Sequence, residues 1–150
     1  MKKINIQRKL INHLTGNGEK NTSEKILLKS FKDLQKSSKK KSTKIIKLAL
    51  IYSTSIFKLH KIKNKKIKKR TNNVREIPAF ISNKHSRASS SLKLIISNTR
   101  KKKEYKFYKK LKNEIVLNAG NKNNSSVALK NELQKSILTK KHYFLYYRWR

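Results

Sequence analysis

Apolar residues recur at helical spacing along a chain in which 41 Lys and Arg stand against only 7 Asp and Glu. That combination limits the possible folds more than any short motif does. A disordered basic tail lacks the periodic apolar residues that bury a core. An ordinary enzyme domain does not carry a formal net charge of +34 without a polyanion to offset it. The pattern therefore predicts a folded polycation whose partner is nucleic acid. Its 150 residues suit one domain with a modest core, and repulsion among the cations predicts marginal stability for the protein alone.

The periodicity predicts a mainly α fold: six helices in a single domain, 1–150, with one β-hairpin inserted after the third helix. Ile6, Leu10, Ile11 and Leu14 share a helical face that stops at Gly16-Asn17-Gly18. Asn21 with Glu24 three residues on resembles a capping box, and Leu27, Leu28, Phe31 and Leu34 follow it, so a second helix is expected at about 22–37. A third begins after Ser42, with Ile45, Leu48, Ala49 and Tyr52 as its apolar face, and fades in Ser53-Thr54-Ser55.

Between Ile56 and Ile81 the helical period disappears. Ile56–Ile62 and Val74–Ile81 read as the two arms of a hairpin, and Pro78, which cannot donate to a ladder, makes its arm an edge with that position facing outward. The tip, Lys63 to Arg70, holds six cations in eight residues. Helical spacing returns with Ala88, Leu92, Ile95 and Ile96, then with Tyr108, Leu111, Ile115 and Ala119 before Gly120. After Ser125 or Ser126 as an N-cap, Leu129, Leu133 and Ile137 mark a last helix. In the aromatic C-terminus, Tyr143, Phe144 and Tyr147 are expected to belong partly to the core, with Arg148 and Trp149 reaching outward.

Catalytic equipment is absent from the sequence. Glu19, Glu24, Asp33, Glu76, Glu104, Glu114 and Glu132 are too scattered to form an evident acid/base pair. Gly16-Asn17-Gly18-Glu19-Lys20 superficially resembles a phosphate loop but fails its spacing. No enzyme activity and no cofactor are expected. With no Cys there is no disulfide framework or thiolate metal site, and His13, His60, His85 and His142 read as ordinary surface or RNA-facing residues. The longest uncharged run, Leu48 to Phe57, is far short of the roughly 20 residues that span a bilayer, so no membrane partner is expected. The basic start Met1-Lys2-Lys3-Ile4 lacks an apolar segment and reads as no cleaved signal.

The order of these parts, with several local strings, resembles the universal small-subunit ribosomal protein number seven, particularly its organellar form. Gly18-Glu19-Lys20-Asn21-Thr22-Ser23-Glu24 is similar to that family's turn and second-helix start, and Ile77-Pro78 to the apolar-Pro step of its second hairpin arm. Ser86-Arg87 leading into Ala88 and Leu94-Ile95 resembles its arginine-headed fourth helix, and Tyr147-Arg148-Trp149 its aromatic-Arg-Trp ending. The resemblance implies binding to the 3′ major domain of small-subunit ribosomal RNA, nucleation of the subunit head, neighbouring small-subunit ribosomal proteins, and a hairpin directed toward the exit-site tRNA and the mRNA path.

By the same resemblance, RNA contact falls to the hairpin cations Lys61, Lys63, Lys65, Lys66, Lys68, Lys69 and Arg70, to Lys84 and Arg87 at the start of the fourth helix, and to Arg148 and Trp149. Charge alone adds Lys2, Lys3, Arg8 and Lys9 around the first helix and Lys101, Lys102 and Lys103 at the end of the fourth. The sequence departs from the family in a basic arm shortened to about Met1–Ile6 and in a tip without glycines, where Asn72 and Asn73 are the residues able to adopt positive φ. The alternative is a non-specific architectural nucleic-acid-binding protein. Lys outnumbers Arg 34 to 7 beside 15 Asn and 16 Ile, residues with A- and T-rich codons. With the short N-terminus, this bias points to a protein of the mitochondrial matrix, in the mitochondrial ribosome, with plastid as the alternative.

Overall fold

The computed structural model describes residues 5–38, 41–63, 74–121 and 126–146. Among them the order is α1 (Ile6–Leu14), α2 (Lys20–Ser37), α3 (Ser42–Ser53), β1 (Phe57–Lys63), β2 (Val74–Phe80), α4 (Lys84–Lys101), α5 (Phe107–Ala119) and α6 (Ser126–Thr139), closed by a short 3-10 helix, Lys141–Tyr146. This is the expected mainly α architecture, with its one antiparallel hairpin after the third helix.

α5 lies at the centre, packed by α2, α3 and α4. Its Leu111 and Ile115 are excluded from solvent and join Leu10, Leu27, Leu34, Ile45, Ile46, Ala49, Leu50, Leu92 and Ile95 in one cluster. Ile6, Ile11 and Leu14 of α1 cover its edge, as their spacing requires. Two faces differ from the sequence reading. In α2 the inward set is Ser23, Leu27, Ser30 and Leu34, so Leu28 is left exposed. In α3 it is Ile45, Ile46, Ala49, Leu50 and Ser53, which turns Leu48, Ile51 and Tyr52 to the outside. α3 is apolar almost all round, so period alone allows two faces. Packing on α5, with a buried 2.6 Å hydroxyl pair between Ser53 and Ser91 of α4, selects one.

The helix ends follow local chemistry. Asn5 caps α1 by accepting the Arg8 N–H at 3.2 Å, and Asn83 caps α4 by accepting the His85 N–H at 2.8 Å. Asn17 and Gly18 carry the chain out of α1 with φ of 53° and 81°. α2 then starts at Lys20, two residues before the expected position, and in its first turn the Thr22 and Ser23 hydroxyls both donate to the Glu19 carbonyl, at 2.8 and 3.1 Å. Asn21 therefore lies inside the first turn and is not the cap. α5 stops at Gly120, but the left-handed residue is its successor, Asn121, with φ of 54°.

Register in the hairpin runs from Phe57 opposite Phe80 to Lys63 opposite Val74. Ile81 N–H donates to the Ile56 carbonyl at 2.9 Å, and hydrogen-bonded pairs alternate from there. Leu59 and Pro78 form a non-bonded pair, so the Pro78 nitrogen faces out of the ladder as expected. Its ring, expected on the outside, is instead fully buried, with β2 lying against the 3-10 helix. Phe57 meets Phe80 edge-on at 5.9 Å and Phe144 at 5.5 Å, making an aromatic base for the hairpin. Phe144 thus joins the folded body as its spacing suggested. Tyr147 lies outside the described residues.

One buried carboxylate ties three helices together. Glu114, at 0% exposure on α5, accepts from Asn98 of α4 at 3.0 Å, from Asn118 at 3.1 Å, and from the Ser126 N–H at 2.8 Å and hydroxyl at 2.5 Å. Its other oxygen lies 2.7 Å from the Lys102 ammonium. Burial acts to raise the Glu114 carboxyl, but the hydrogen bonds from Lys102, Ser126 and Asn98 outweigh it and hold the group below the usual range.

Two stability predictions follow from this packing. Leu111→Ala, in a site with no route to solvent, should lower unfolding free energy by about 3 kcal/mol in urea titration. Because the folded-state pKa of Glu114 is depressed, its contribution is complete above the unfolded carboxylate value of about 4.3 and is lost as pH falls through the folded one. Glu114→Gln should therefore cost about 3 kcal/mol at neutral pH, where it leaves Lys102 unpaired. It should also flatten the acid limb of a thermal stability against pH curve; an unchanged acid limb would assign that limb to other groups.

Candidate nucleic-acid interface

The cations form separate groups according to what holds them. Lys9 reaches from α1 to α4, donating to the His85 carbonyl at 3.0 Å and to the Ser89 hydroxyl at 3.4 Å. With Lys93, Ser86 and Ser90 these residues line an open groove between the two helices. Ser86, Ser89, Ser90 and Lys93 follow one another at short helical steps, so they share one face of α4. His13, one turn beyond Lys9, is held below the ordinary imidazole range by burial and then by the charges of Lys93 and Lys9. The ammonium groups that line the groove are those of Lys9 and Lys93. Hydroxyls and flanking ammonium groups together suit a phosphate oxygen. Arg8 is exposed on α1, and Lys84 is exposed on the first turn of α4.

Arg87 has an internal duty. Its Nε donates to the Ile81 carbonyl at 2.5 Å and its guanidinium sits 5.1 Å from the centre of the Phe80 ring. It thereby pins the hairpin base to α4 by hydrogen bond and cation–π contact. Farther along the hairpin, Lys61 pairs with the directly opposite Glu76 at 3.5 Å, and Lys140 after α6 reaches the same carboxylate at 2.7 Å. The Lys140 hydrogen bond, and then its charge, keep Glu76 below the usual carboxylate range. Lys61 itself remains mostly exposed. Lys63 is the last residue of β1.

At the end of α4 the three candidate lysines separate. Lys101 and Lys103 are exposed, whereas Lys102 turns inward to Glu114. Lys2, Lys3, Lys65, Lys66, Lys68, Lys69, Arg70, Arg148 and Trp149 lie outside the described residues.

Sequence reasoning missed the α1–α4 groove, since His13 and His85 read as unconnected surface groups. The available signal was the serine–lysine repeat on α4. It also missed Glu114, which looks like an interruption in an apolar stripe until the start of α6 is brought beside it. Among the described residues no group of three or more His, Asp or Glu could hold a metal ion, and no helix is long and apolar enough to cross a membrane.

The arrangement is a helical core that fixes cations in three places: a groove between α1 and α4, the start of α4, and the root of a hairpin whose tip is the most basic stretch of the chain. A search of curated proteins finds no match to this sequence. The family model described as ribosomal protein S7p/S5e matches residues 2–141, which take in every described helix and strand and the first residue of the closing 3-10 helix. On that match, the chain belongs to the ribosomal protein S7p/S5e family of structural, small-subunit ribosomal proteins.

Proposed function

We propose that this protein binds the 3′ major domain of small-subunit ribosomal RNA, holds its helices in the arrangement that starts assembly of the subunit head, and directs its hairpin toward the exit-site tRNA and the mRNA path. The observation that carries the reading is the family match over residues 2–141 of a chain with a net charge of +34. The α1–α4 groove supplies fixed donors for phosphate oxygens. Arg87 and the Phe57–Phe80–Phe144 cluster fasten the base of the hairpin to the helical body.

Recognition on this account reads RNA shape. The major groove of an A-form helix is too narrow to expose base edges, and lysines spaced by a helical core bridge phosphates from helices that meet at a junction. Protein bound to the joined form alone favours that form by linkage. The protein acts as a shaped counter-ion, with no catalytic step. The codon-biased composition supports a place in the mitochondrial ribosome, with the plastid ribosome as the alternative.

The test is binding of the purified protein, at moderately high salt, to the 3′ major domain RNA and to a shuffled RNA of equal length, with backbone footprinting. Strong preference with protection confined to a helix junction is expected. Equal binding and diffuse protection would leave a non-specific architectural protein instead. Replacing Lys65, Lys66, Lys68, Lys69 and Arg70 together with Gln should weaken specific binding and lower the slope of log K against log salt by up to about 3.5 to 4.5, since each phosphate that a cation neutralises adds roughly 0.7–0.9 to that slope. An unchanged slope would remove the hairpin tip from the interface.

A further inference from the structure

A second cationic face lies on α2 and the start of α5, apart from the α1–α4 groove and the hairpin. Lys25, Lys29, Lys32 and Lys36 are all exposed and follow one another at steps of four, three and four, so they form a row along one side of α2. At 1.5 Å per residue the row is about 16 Å long. At about 3.4 Å per phosphate in a stacked strand, that length matches roughly five successive phosphates. Lys29, Lys32 and Lys36 line a shallow depression with Lys106 and Tyr108. Its one carboxylate, Asp33, forms no ion pair with any of them among the described residues. Four ammonium groups held this close repel one another, and an anion between them removes that cost.

The second observation is Tyr105, which is fully exposed at 100% and directly precedes Lys106. It stands on a tethered loop. Lys110 Nζ donates to the Lys102 carbonyl at 2.5 Å, and Asn113 donates to the Glu104 carboxylate at 2.8 Å, so the short α4–α5 connection is tied down at its start and in its middle. A large ring held out in water on an anchored loop, beside a row of lysines, is the pairing that single-stranded RNA uses: phosphates on the cations and an unstacked base on the aromatic face. A duplex offers its backbone to the lysines but no base face to the ring.

We propose that the α2–α5 face takes a single-stranded segment of RNA, with Lys29, Lys32, Lys36 and Lys106 on its phosphates and Tyr105 stacked on one of its bases. The proposal rests on the ribosomal RNA-binding reading above and adds a second contact made by different helices. The protein then holds an unpaired strand as well as a junction.

The chain has no cysteine, so a single introduced one is a unique attachment point. Gln35→Cys on α2 and Gln7→Cys on α1 are each loaded with tethered Fe(II)-EDTA in the full-length protein bound to the 3′ major domain RNA. Radicals from Gln35→Cys are expected to cut an unpaired stretch distinct from the strands cut from Gln7→Cys. Within that stretch, Tyr105→Ala should restore chemical reactivity of one base and weaken binding between about 5- and 150-fold, whereas Tyr105→Phe should keep both near the parent values. Cuts from Gln7→Cys alone would overturn the second contact and leave the first reading standing; cuts from neither would overturn both. Cuts from Gln35→Cys confined to duplex, or a photo-crosslinker at Tyr105 that joins protein in assembled subunits, would assign this face to a different partner.

Discussion

Repulsion among 41 cations is the constraint that this fold works around, because any ammonium group near the interior needs an anion or a carbonyl within reach. The described residues place their few carboxylates accordingly. Glu114 receives Lys102 at the meeting of α4, α5 and α6, and Glu76 receives Lys61 and Lys140 where the hairpin meets the end of α6. Elsewhere lysines are neutralised by dipoles, as Lys9 is by the His85 carbonyl, Lys110 by that of Lys102 and Lys130 by that of Tyr52 at 2.9 Å. Each such bond joins two elements, so the groups that quench charge also set the relative placement of helices and hairpin.

Serine takes a matching part inside. Ser23, Ser30, Ser42, Ser53, Ser91 and Ser126 are all buried. Ser23, Ser30 and Ser53 return their hydroxyls to backbone carbonyls a turn earlier, at 3.1, 2.7 and 2.7 Å. These small residues let α2, α3 and α4 approach the central helix, and the back-bonds satisfy their hydroxyls beside the apolar cluster. The core is thus assembled from modest side chains at close range, which fits a chain with few large aromatics to bury.

Most of the architecture was readable because helical period and punctuation agree. α1, α4 and α5 each carry an apolar row bounded by Asn, Gly or a change of composition, and the hairpin is the one region where the period lapses. The readings that shifted did so where tertiary contact decides. α3 offers two apolar faces, and the partner serine on α4 is invisible to periodicity. Glu114 and Asn118 fall on the inner face of α5, at positions that apolar counting treats as gaps, and they make sense only once Asn98 and Ser126 arrive, 16 and 12 residues from Glu114. The site divides along the same line. Exposed Arg8 follows from charge alone and exposed Lys61 and Lys84 from the family resemblance, whereas the inward turn of Lys102 and the pinning role of Arg87 depend on partners elsewhere in the fold.

Salt therefore acts on this molecule in two opposite directions. Screening weakens the repulsion that opposes folding of the free protein, and it also weakens attraction to a phosphate backbone. At low salt the free chain is least stable while its affinity for polyanion is highest, so folding and binding are most tightly coupled there. At high salt the fold stands better alone, and on the proposed function only contacts with defined geometry persist: those of the α1–α4 groove, with its fixed ammonium and hydroxyl groups, and of the hairpin held by Arg87. Discrimination between RNAs must come from those fixed contacts, because the diffuse charge attracts every polyanion alike. The buried pairing at Glu114 and the partly exposed one at Glu76 do not touch that diffuse charge. They convert it into a set of positions, and a charge held in position is what distinguishes a folded cationic protein from a basic peptide of the same composition.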